Sequence, residues 1–225
     1  GGLRLATVRG GHRGHGDVLW GAAQYAAELL ACGGGAAGEV DAPPSAAVLG
    51  RLLGGRSSLQ GLRMLELGAG LGLPSWVAVR CGARVVASDV SDPERLTAMA
   101  AAAALNDPRP EGTAGDEPGD FGVAHVRAHN WGEDCQDLVG VFGGFDLILL
   151  CDCLYITDLH GALLQSIKTC LAPGGVTLVA FALHQDGNRE VVFNFFTLAE
   201  AQGLAVEKFE ERQMPVRCGN IDASR

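Results

Sequence analysis

The sequence has little positive charge. It contains 17 Lys and Arg residues against 26 Asp and Glu residues, which gives a formal net charge of −9 at pH 7. Proteins that hold nucleic acid by its phosphates need a basic surface, so a nucleic-acid partner is not expected. The chain also lacks an uninterrupted apolar run of about 18 residues, and its first residues contain no apolar signal-peptide segment. We therefore expect no membrane partner.

Cysteine pairs of the zinc-binding kind are also missing. The seven cysteines form no CxxC pair, and none of the six histidines lies near two cysteines at the spacing of a zinc site. A metal site is therefore not predicted. Most of these cysteines lie in apolar runs, which is typical of reduced, buried thiols, and we expect a cytoplasmic protein.

The apolar content is high enough for a buried core. Hydrophobic residues make up 48% of the 225 residues, and this length suits one large domain. Residues 1–60 are predicted to form an N-terminal helical segment, with an amphipathic helix at Val18–Leu30 and a glycine-rich insertion at Cys32–Ser58 that contains one helical turn. Residues 61–225 are predicted to form the core of the protein.

From Gly61 onward, short β-branched or leucine-rich runs alternate with helical stretches. This alternation is typical of an α/β fold with a parallel sheet. The predicted strands are Arg63–Leu67, Ala83–Ser88, Phe121–Ala128, Phe145–Cys151, Val176–Phe181 and Leu204–Phe209. The predicted helices between them are Leu73–Cys81, Asp92–Leu105, Asp134–Val139, Asp158–Leu171 and Asn188–Gln202. The residues Ala172–Gly175 are expected to form a turn before the fifth strand.

A glycine-rich turn follows the first predicted strand. Gly68, Gly70 and Gly72 let the backbone approach a ligand, and Asp89 ends the second strand about 20 positions later. A carboxylate at this separation accepts hydrogen bonds from ribose hydroxyls. The alternative is a plain tight turn, with Asp89 only ending a strand. The dinucleotide fingerprint requires a glycine where Leu73 stands, so NAD binding is the less favoured hypothesis.

Four stretches together resemble a known family. They are Glu66–Ser75 (ELGAGLGLPS), Val18–Ala22 (VLWGA), Asn130–Gly132 (NWG) and Asp152–Tyr155 (DCLY, a DxxY pattern). The first is similar to the cofactor turn of class I S-adenosylmethionine-dependent methyltransferases, and the set resembles their seven-β-strand protein lysine methyltransferase branch. This resemblance implies a Rossmann-like fold with strand order 3-2-1-4-5-7-6. It also implies S-adenosylmethionine as the cofactor, which leaves as S-adenosylhomocysteine.

The resemblance further implies which residues bind the cofactor. The glycine turn would touch its methionine part, Asp89 would hold its ribose, and Trp131 would stack beside its adenine while Trp20 closes the pocket. The full set of expected cofactor-binding residues is Trp20, Glu66, Gly68, Ala69, Gly70, Asp89, Asn130, Trp131 and Cys151. For each tryptophan, a plain core role is an equally good interpretation of the sequence.

Two residues after the fourth strand are candidates for catalysis. Methyl transfer from a sulfonium to an amine is an in-line displacement, so the protein mainly aligns the reactants and excludes water. Asp152 is expected to orient the amine and to stabilise the charge that it gains. Tyr155 is expected to wall the acceptor channel or to donate its hydroxyl. The alternative is that Asp152 is a helix N-cap and Tyr155 a packing residue.

The histidines are interpreted more simply. His125, His129 and His160 are expected to be surface or hydrogen-bonded core residues. His184 follows the fifth strand, where the resemblance places the acceptor side, so a contact with the acceptor is conceivable.

The expected acceptor is a protein amine, either a lysine side chain or an N-terminus. The resemblance favours elongation factor 1-alpha as the partner, and we expect the enzyme to be a monomer. One alternative is a small-molecule N-methyltransferase of the nicotinamide type, and another is a non-catalytic cofactor-binding module. A closed aromatic cage at the acceptor mouth would favour a small molecule, and an open acidic groove would favour a protein tail.

Overall fold

The computed structural model describes residues 18–32, 49–109, 122–183 and 189–211. Within these ranges one sheet contains five parallel strands, in the order β3-β2-β1-β4-β5. The strands are β1 (Arg63–Leu67), β2 (Arg84–Asp89), β3 (Val123–Ala128), β4 (Phe145–Cys151) and β5 (Leu171–Ala180). The predicted α/β fold is confirmed, and so are the first five positions of the predicted strand order. Most of the glycine-rich insertion and His184 lie outside the described residues, and so do residues 212–225, where the seventh strand implied by the resemblance would follow.

Helices follow or precede each strand. They are α1 (Gly21–Ala31), α2 (Leu73–Arg80), α3 (Pro93–Asn106), α4 (Gln136–Phe142), α5 (His160–Cys170) and α6 (Arg189–Ala201), with a short 3-10 turn at Thr157–Leu159. Each predicted helix is present. Residues 49–52 are also helical, as expected for the end of the insertion. Among the described helices, none combines the length and the apolar character needed to cross a bilayer.

Both faces of the sheet are apolar, because helices cover a parallel sheet on both sides. On one face, α1 and α2 pack against side chains such as Met64 and Leu147. On the other face, α4, α5 and α6 pack against Leu65 and Ile148. Neighbouring positions of one strand thus point into different clusters, as the alternation of side chains along a strand requires.

Two helix starts follow the signals in the sequence. The Asp92 carboxylate accepts the backbone N–H groups of Glu94 (3.0 Å) and Arg95 (3.2 Å), so it caps α3, and Pro93 occupies the first helical position. Pro74 lies in the first turn of α2, where its missing N–H leaves no hydrogen bond unmade. The capping signals therefore place α2 and α3 directly after β1 and β2.

The order of the strands creates a topological switch point. From β1 the chain adds β2 and β3 on one side, and then crosses over to add β4 and β5 on the other side. In open α/β sheets, ligands bind outside the carboxyl ends of the strands at such a point. The crevice between the ends of β1 and β4 is therefore where a ligand is expected.

One predicted turn lies inside a strand. The stretch Ala172–Gly175 was expected to precede the fifth strand, but β5 already begins at Leu171. Phe145 pairs with Leu171 and Leu147 pairs with Val176, so the ladder continues on both sides of an irregularity. A proline and a glycine with positive φ prevent regular pairing within the stretch itself.

The sixth predicted strand is wrong. Leu204–Phe209 contains a short apolar run, but it forms no strand. A strand is stable only when a neighbour pairs with its backbone. No strand in the described part of the chain pairs with this segment.

Residues 204–211 instead cross to the N-terminal part of the chain, and we call them the strap. The hydroxyl of Tyr25 in α1 donates a hydrogen bond to Glu210 (2.8 Å). The guanidinium of Arg51 pairs with Glu207 and lies 5.1 Å from the centre of the Phe209 ring. That ring also packs against the apolar cluster that holds α1. The strap therefore fastens the first described helix to the chain that follows α6.

Candidate active site

The predicted site residues gather at one edge of the sheet. Gly68 follows β1, Asp89 ends β2, Asn130 follows β3 and Asp152 follows β4. Because the carboxyl ends of parallel strands share an edge, the topology brings these four stretches to the switch point between β1 and β4. A groove at the opposite edge, between α4 and the start of β5, contains none of the predicted site residues.

Gly68 is the point at which three of these stretches meet. Its backbone has a positive φ of 72°, and a Cβ at this position would lie 2.9 Å from Sγ of Cys153 and 3.1 Å from a ring carbon of Trp131. A side chain here would displace one of these neighbours as well as strain the backbone. The next residue, Ala69, donates its N–H to the carbonyl of Ser88 at the end of β2 (2.9 Å).

The Asp89 carboxylate is bonded directly to the glycine turn. Oδ2 accepts the N–H of Gly70 at 2.7 Å, and Oδ1 accepts the N–H of Val90 at 2.9 Å. The guanidinium of Arg95 lies 3.5 Å from Oδ1. A carboxylate offers about four lone-pair positions, so these contacts leave room for a further donor. The turn and the carboxylate predicted to share a ligand are thus in contact.

Glu66 lies in β1 just before the turn and is 1% exposed. Its Oε2 accepts the N–H (3.1 Å) and the hydroxyl (2.5 Å) of Ser75, in the first turn of α2. Its Oε1 has no hydrogen-bond partner among the residues that the structure describes. Burial raises the pKa of this carboxyl to about 8, against the effect of the Ser75 hydrogen bonds, and the charge of Asp89 raises it further. Glu66 therefore keeps its proton at neutral pH.

The loop after β3 holds two of the predicted residues. Asn130 Nδ2 donates to Glu133 (3.1 Å), and Asn130 Oδ1 accepts the N–H of Ser91 (3.4 Å), which joins this loop to the end of β2. Trp131 is half-buried and packs against the apolar cluster of α4 to α6, with its ring beside Gly68. The structure thus brings Trp131 to the glycine turn, while its contact with an adenine stays a prediction.

Asp152 has an unusual backbone. Its φ of 55° is the one positive value at a non-glycine residue in the described ranges. Its N–H donates to the carbonyl of Ala180 (2.8 Å), and its Oδ1 accepts the N–H of Ala182 (3.0 Å). The helices that follow have Ile156 and Leu159 as their N-cap residues, so the alternative that Asp152 is an N-cap is wrong. Such strained positions cluster at functional sites.

Tyr155 lies on the rim of this edge, with 46% of its surface exposed. Burial of the remainder, and then the nearby Cys153 and Asp89, raise the pKa of its phenol, so the hydroxyl stays protonated and can donate. Cys151 ends β4, and its carbonyl accepts the thiol of Cys153 (3.5 Å). The exposure of Tyr155 leaves its hydroxyl accessible at the rim, while its role at the acceptor stays a prediction.

Trp20 is the N-cap residue of α1, and its carbonyl accepts the N–H groups of Ala23 and Gln24. Its side chain is half-buried. Because α1 packs against α2, which starts at the glycine turn, Trp20 belongs to the layer on that side of the sheet. Its role in closing the pocket stays a prediction.

Sequence reasoning assigned no role to two residues of this site, Cys153 and Ser75. Cys153 donates its thiol to the carbonyl of Leu67 (3.3 Å) and fills the space beside Gly68. Burial raises the pKa of this thiol, so it is a packing group and not a nucleophile. Ser75 holds Glu66, and its place in the first turn of α2 is the signal from which this contact was predictable.

The histidines fit their simple interpretation. His129 is 5% exposed, and its Nε2 lies 2.9 Å from the hydroxyl of Ser166. His160 is also buried and bonds a backbone carbonyl, whereas His125 is half-buried. In the described part of the chain, no group of three or more His, Cys, Asp or Glu side chains is arranged to hold a metal ion.

Comparisons with known proteins agree with this geometry. A family model described as "Lysine methyltransferase" matches residues 3–202. The "Protein N-terminal and lysine N-methyltransferase EFM7" of Yarrowia lipolytica is 31% identical over 172 residues, which cover 70% of this chain and 62% of that protein. The protein of the same name from Eremothecium gossypii is 33% identical over 201 residues, which cover 87% of this chain and 66% of that protein.

The chain thus spans less than two thirds of the length of the Yarrowia lipolytica relative. Among solved structures, a TehB-like SAM-dependent methyltransferase from Corynebacterium glutamicum is similar with a TM-score of 0.46 and 19% identity. The match covers 69% of this chain and 72% of that one.

Proposed function

This chain belongs to the lysine methyltransferase family, and from that membership we propose that it transfers a methyl group from S-adenosylmethionine to an amine of a protein. The acceptor is a lysine side chain or an N-terminus, as in the names of its relatives. The observation that carries the proposal is the 2.7 Å hydrogen bond from the Gly70 N–H to Asp89. It joins the glycine turn to the carboxylate that would hold the ribose, at the switch point of the sheet.

The residues at this edge fit a cofactor of this chemistry. The carboxyl groups of Glu66, Asp89 and Asp152 all lie near the buried thiol of Cys153, and they add to the effect of burial in raising the pKa of that thiol. The Asp89 and Asp152 carboxylates suit a ligand that carries positive charge, whereas the protonated carboxyl of Glu66 adds no charge. When bound, S-adenosylmethionine supplies the electrophilic methyl group on a sulfonium. The half-buried ring of Trp131 offers the flat apolar surface that an adenine needs.

Asp152 is the residue that we assign to the acceptor amine. Its carboxylate is 94% removed from solvent, and the Ala182 N–H holds one of its oxygens. A fixed carboxylate accepts a hydrogen bond from the incoming amine, aligns its lone pair, and stabilises the positive charge that the nitrogen gains. Tyr155 stands three residues further on and supplies a neutral hydroxyl at the entrance.

A protein acceptor fits the entrance better than a small molecule. Tyr155 and Leu159 follow Asp152 in the chain, and Leu183 is the neighbour of Ala182, which bonds Asp152; these three residues are 46%, 41% and 38% exposed. A cage for a small metabolite would bury such side chains. We further propose elongation factor 1-alpha as the acceptor, on the strength of the resemblance, and a monomeric, cytoplasmic enzyme.

A labelling experiment tests the proposal. The purified protein is incubated with S-adenosylmethionine carrying a labelled methyl group, in one reaction with purified elongation factor 1-alpha and in another with a cell lysate. Label on the protein bands and in the small-molecule fraction is counted. We expect label with the wild type, loss of at least about 100-fold in rate with Asp152→Asn, and little change with Asp158→Asn, an exposed acid of the same segment.

Binding of S-adenosylhomocysteine is measured in parallel by calorimetry. Label on other lysate proteins but not on elongation factor 1-alpha would overturn the named acceptor alone. Label only in small molecules would support the nicotinamide-type alternative. Tight binding without transfer to any acceptor would support the non-catalytic module.

A further inference from the structure

A buried serine under the loop after β3 makes hydrogen bonds of an unusual kind. A hydroxyl inside a helix normally bonds the carbonyl four residues earlier, as Thr169 of α5 does with Gln165 (2.9 Å). Ser166 of the same helix is fully buried, yet its hydroxyl reaches out of the helix. It accepts the N–H of Gly132 at 2.9 Å and lies 2.9 Å from Nε2 of His129.

The two partners of this hydroxyl are the buried ring of His129 and the backbone N–H of Gly132, which is half-buried. Burial lowers the pKa of His129, so the ring is neutral at neutral pH and its two nitrogens differ. Because the Gly132 N–H occupies one lone pair of Ser166, the hydroxyl proton is available to an unprotonated Nε2. The thiol of Cys135 lies 4.0 Å from the same nitrogen. One oxygen atom therefore satisfies a backbone donor and a side chain together.

The two partners bracket the residues that face the glycine turn. His129 and Gly132 stand immediately before and after the pair Asn130–Trp131, so one hydroxyl holds both ends of this pair. Gly132 also lies against the same helix, since a Cβ there would be 2.8 Å from that of Ala162. The Trp131 ring, which lies between these two fixed points, is the one beside Gly68.

We propose that Ser166 is a positioning residue for cofactor binding, which sets the place of Trp131 over the glycine turn without touching the ligand. The proposal rests on the proposed function, because it takes the turn to be the cofactor site. Loss of the hydroxyl leaves the Gly132 N–H and the His129 ring without their shared partner. The loop after β3 then changes its conformation so that these two groups can form other hydrogen bonds, and the position of the Trp131 ring in the pocket is no longer fixed.

The test compares Ser166→Ala with Thr169→Ala, whose hydroxyl lies in the same helix but bonds only within it. The dissociation constant of S-adenosylhomocysteine is measured by calorimetry, and kcat and the acceptor KM are measured at saturating S-adenosylmethionine. We expect Ser166→Ala to raise the dissociation constant about tenfold, while kcat and the acceptor KM stay within about twofold. Thr169→Ala is expected to stay within about twofold in every quantity.

A spectroscopic readout separates positioning from general loss of stability. The three tryptophans are labelled with 5-fluorotryptophan, and their fluorine resonances are assigned by substitution to Phe. In Ser166→Ala we expect the Trp131 resonance to shift, while that of Trp76, whose ring is fully buried and bonds the Leu71 carbonyl, stays in place. If Ser166→Ala does not fold, Ser166→Cys, with a poor hydrogen-bonding group of similar shape, is used and is expected to behave alike.

An unchanged dissociation constant, or a Trp131 resonance that does not move, would overturn the proposal even if the melting temperature falls. Failure of the wild type to bind S-adenosylhomocysteine would overturn the proposed function instead. The fluorine spectra without ligand would still decide whether Ser166 fixes Trp131.

Discussion

Replacing Glu66 by Gln is predicted to change how stability depends on pH. The carboxyl has a pKa of about 8 in the folded protein, against 4.5 for an ordinary glutamate. Since the folded pKa is the higher one, the folded state holds a proton that the unfolded state has released, and the free energy of unfolding falls as the pH rises from about 4.5 to about 8. The slope is about 1.36 kcal/mol per pH unit, so the whole window corresponds to roughly 5 kcal/mol.

The Glu66→Gln variant has no carboxyl group to titrate at this position, but its side chain keeps the same shape. Its carbonyl oxygen accepts from Ser75 as Oε2 does, and its amide replaces Oε1, to which no described residue donates a hydrogen bond. We expect the variant to become more stable relative to the wild type with rising pH, by about 3 kcal/mol between pH 5.5 and 7.5. Urea unfolding curves at four pH values measure this difference.

The comparison between two variants makes the test specific. Other groups also titrate in this range, but they cancel when the variant is subtracted from the wild type. Glu200→Gln, at an exposed position of α6, is the control and is expected to show a flat difference. A difference for Glu66→Gln that stays constant with pH, or changes in the opposite direction, would refute the assignment of a protonated carboxyl.

Three further predictions use other contacts of the structure. Gly68→Ala is expected to abolish S-adenosylhomocysteine binding in calorimetry, whereas Gly143→Ala, which has a similar φ but no atom within 4 Å of the added Cβ, keeps it. Asp89→Asn is expected to weaken the same binding about 100-fold, because a charge-assisted acceptor for the ribose and the turn is lost; an unchanged affinity would remove Asp89 from the site. Arg51→Ala is expected to cost less than about 1 kcal/mol in urea unfolding, since its ion pair with Glu207 is exposed.

Much of the sheet was predictable because its signals are local. The bounds of β1 and β4 coincide with their apolar runs, and Asp92 and Pro93 mark the start of α3. The strand predicted at Leu204–Phe209 is wrong, because a strand depends on a pairing neighbour that the segment itself does not contain. Local pattern therefore predicted the paired strands, while the failure at this segment came from distant parts of the chain.

In the site, too, local signals were found and contacts between distant residues were missed. The glycine turn and Asp89 were found from their spacing, and the structure brings them into contact. Cys153 and Ser166 were missed, because each hydrogen-bonds a residue more than 30 positions away, and the DxxY pattern that contains Cys153 assigns no role to its thiol. Contacts of this kind come from the packing of helices and strands, which no short window of sequence records.

The strap has a consequence for the synthesis of this protein on the ribosome. Tyr25 and Glu210 are 185 positions apart, and translation at about 5–20 residues per second separates their appearance by about 10–40 s. During this interval α1 has left the ribosome, but its final fastening does not yet exist. The apolar face of α1 packs against α2, β4 and β5, which are synthesised before the strap. The contacts of Tyr25 with the strap are therefore the last part of the α1 packing to form during synthesis.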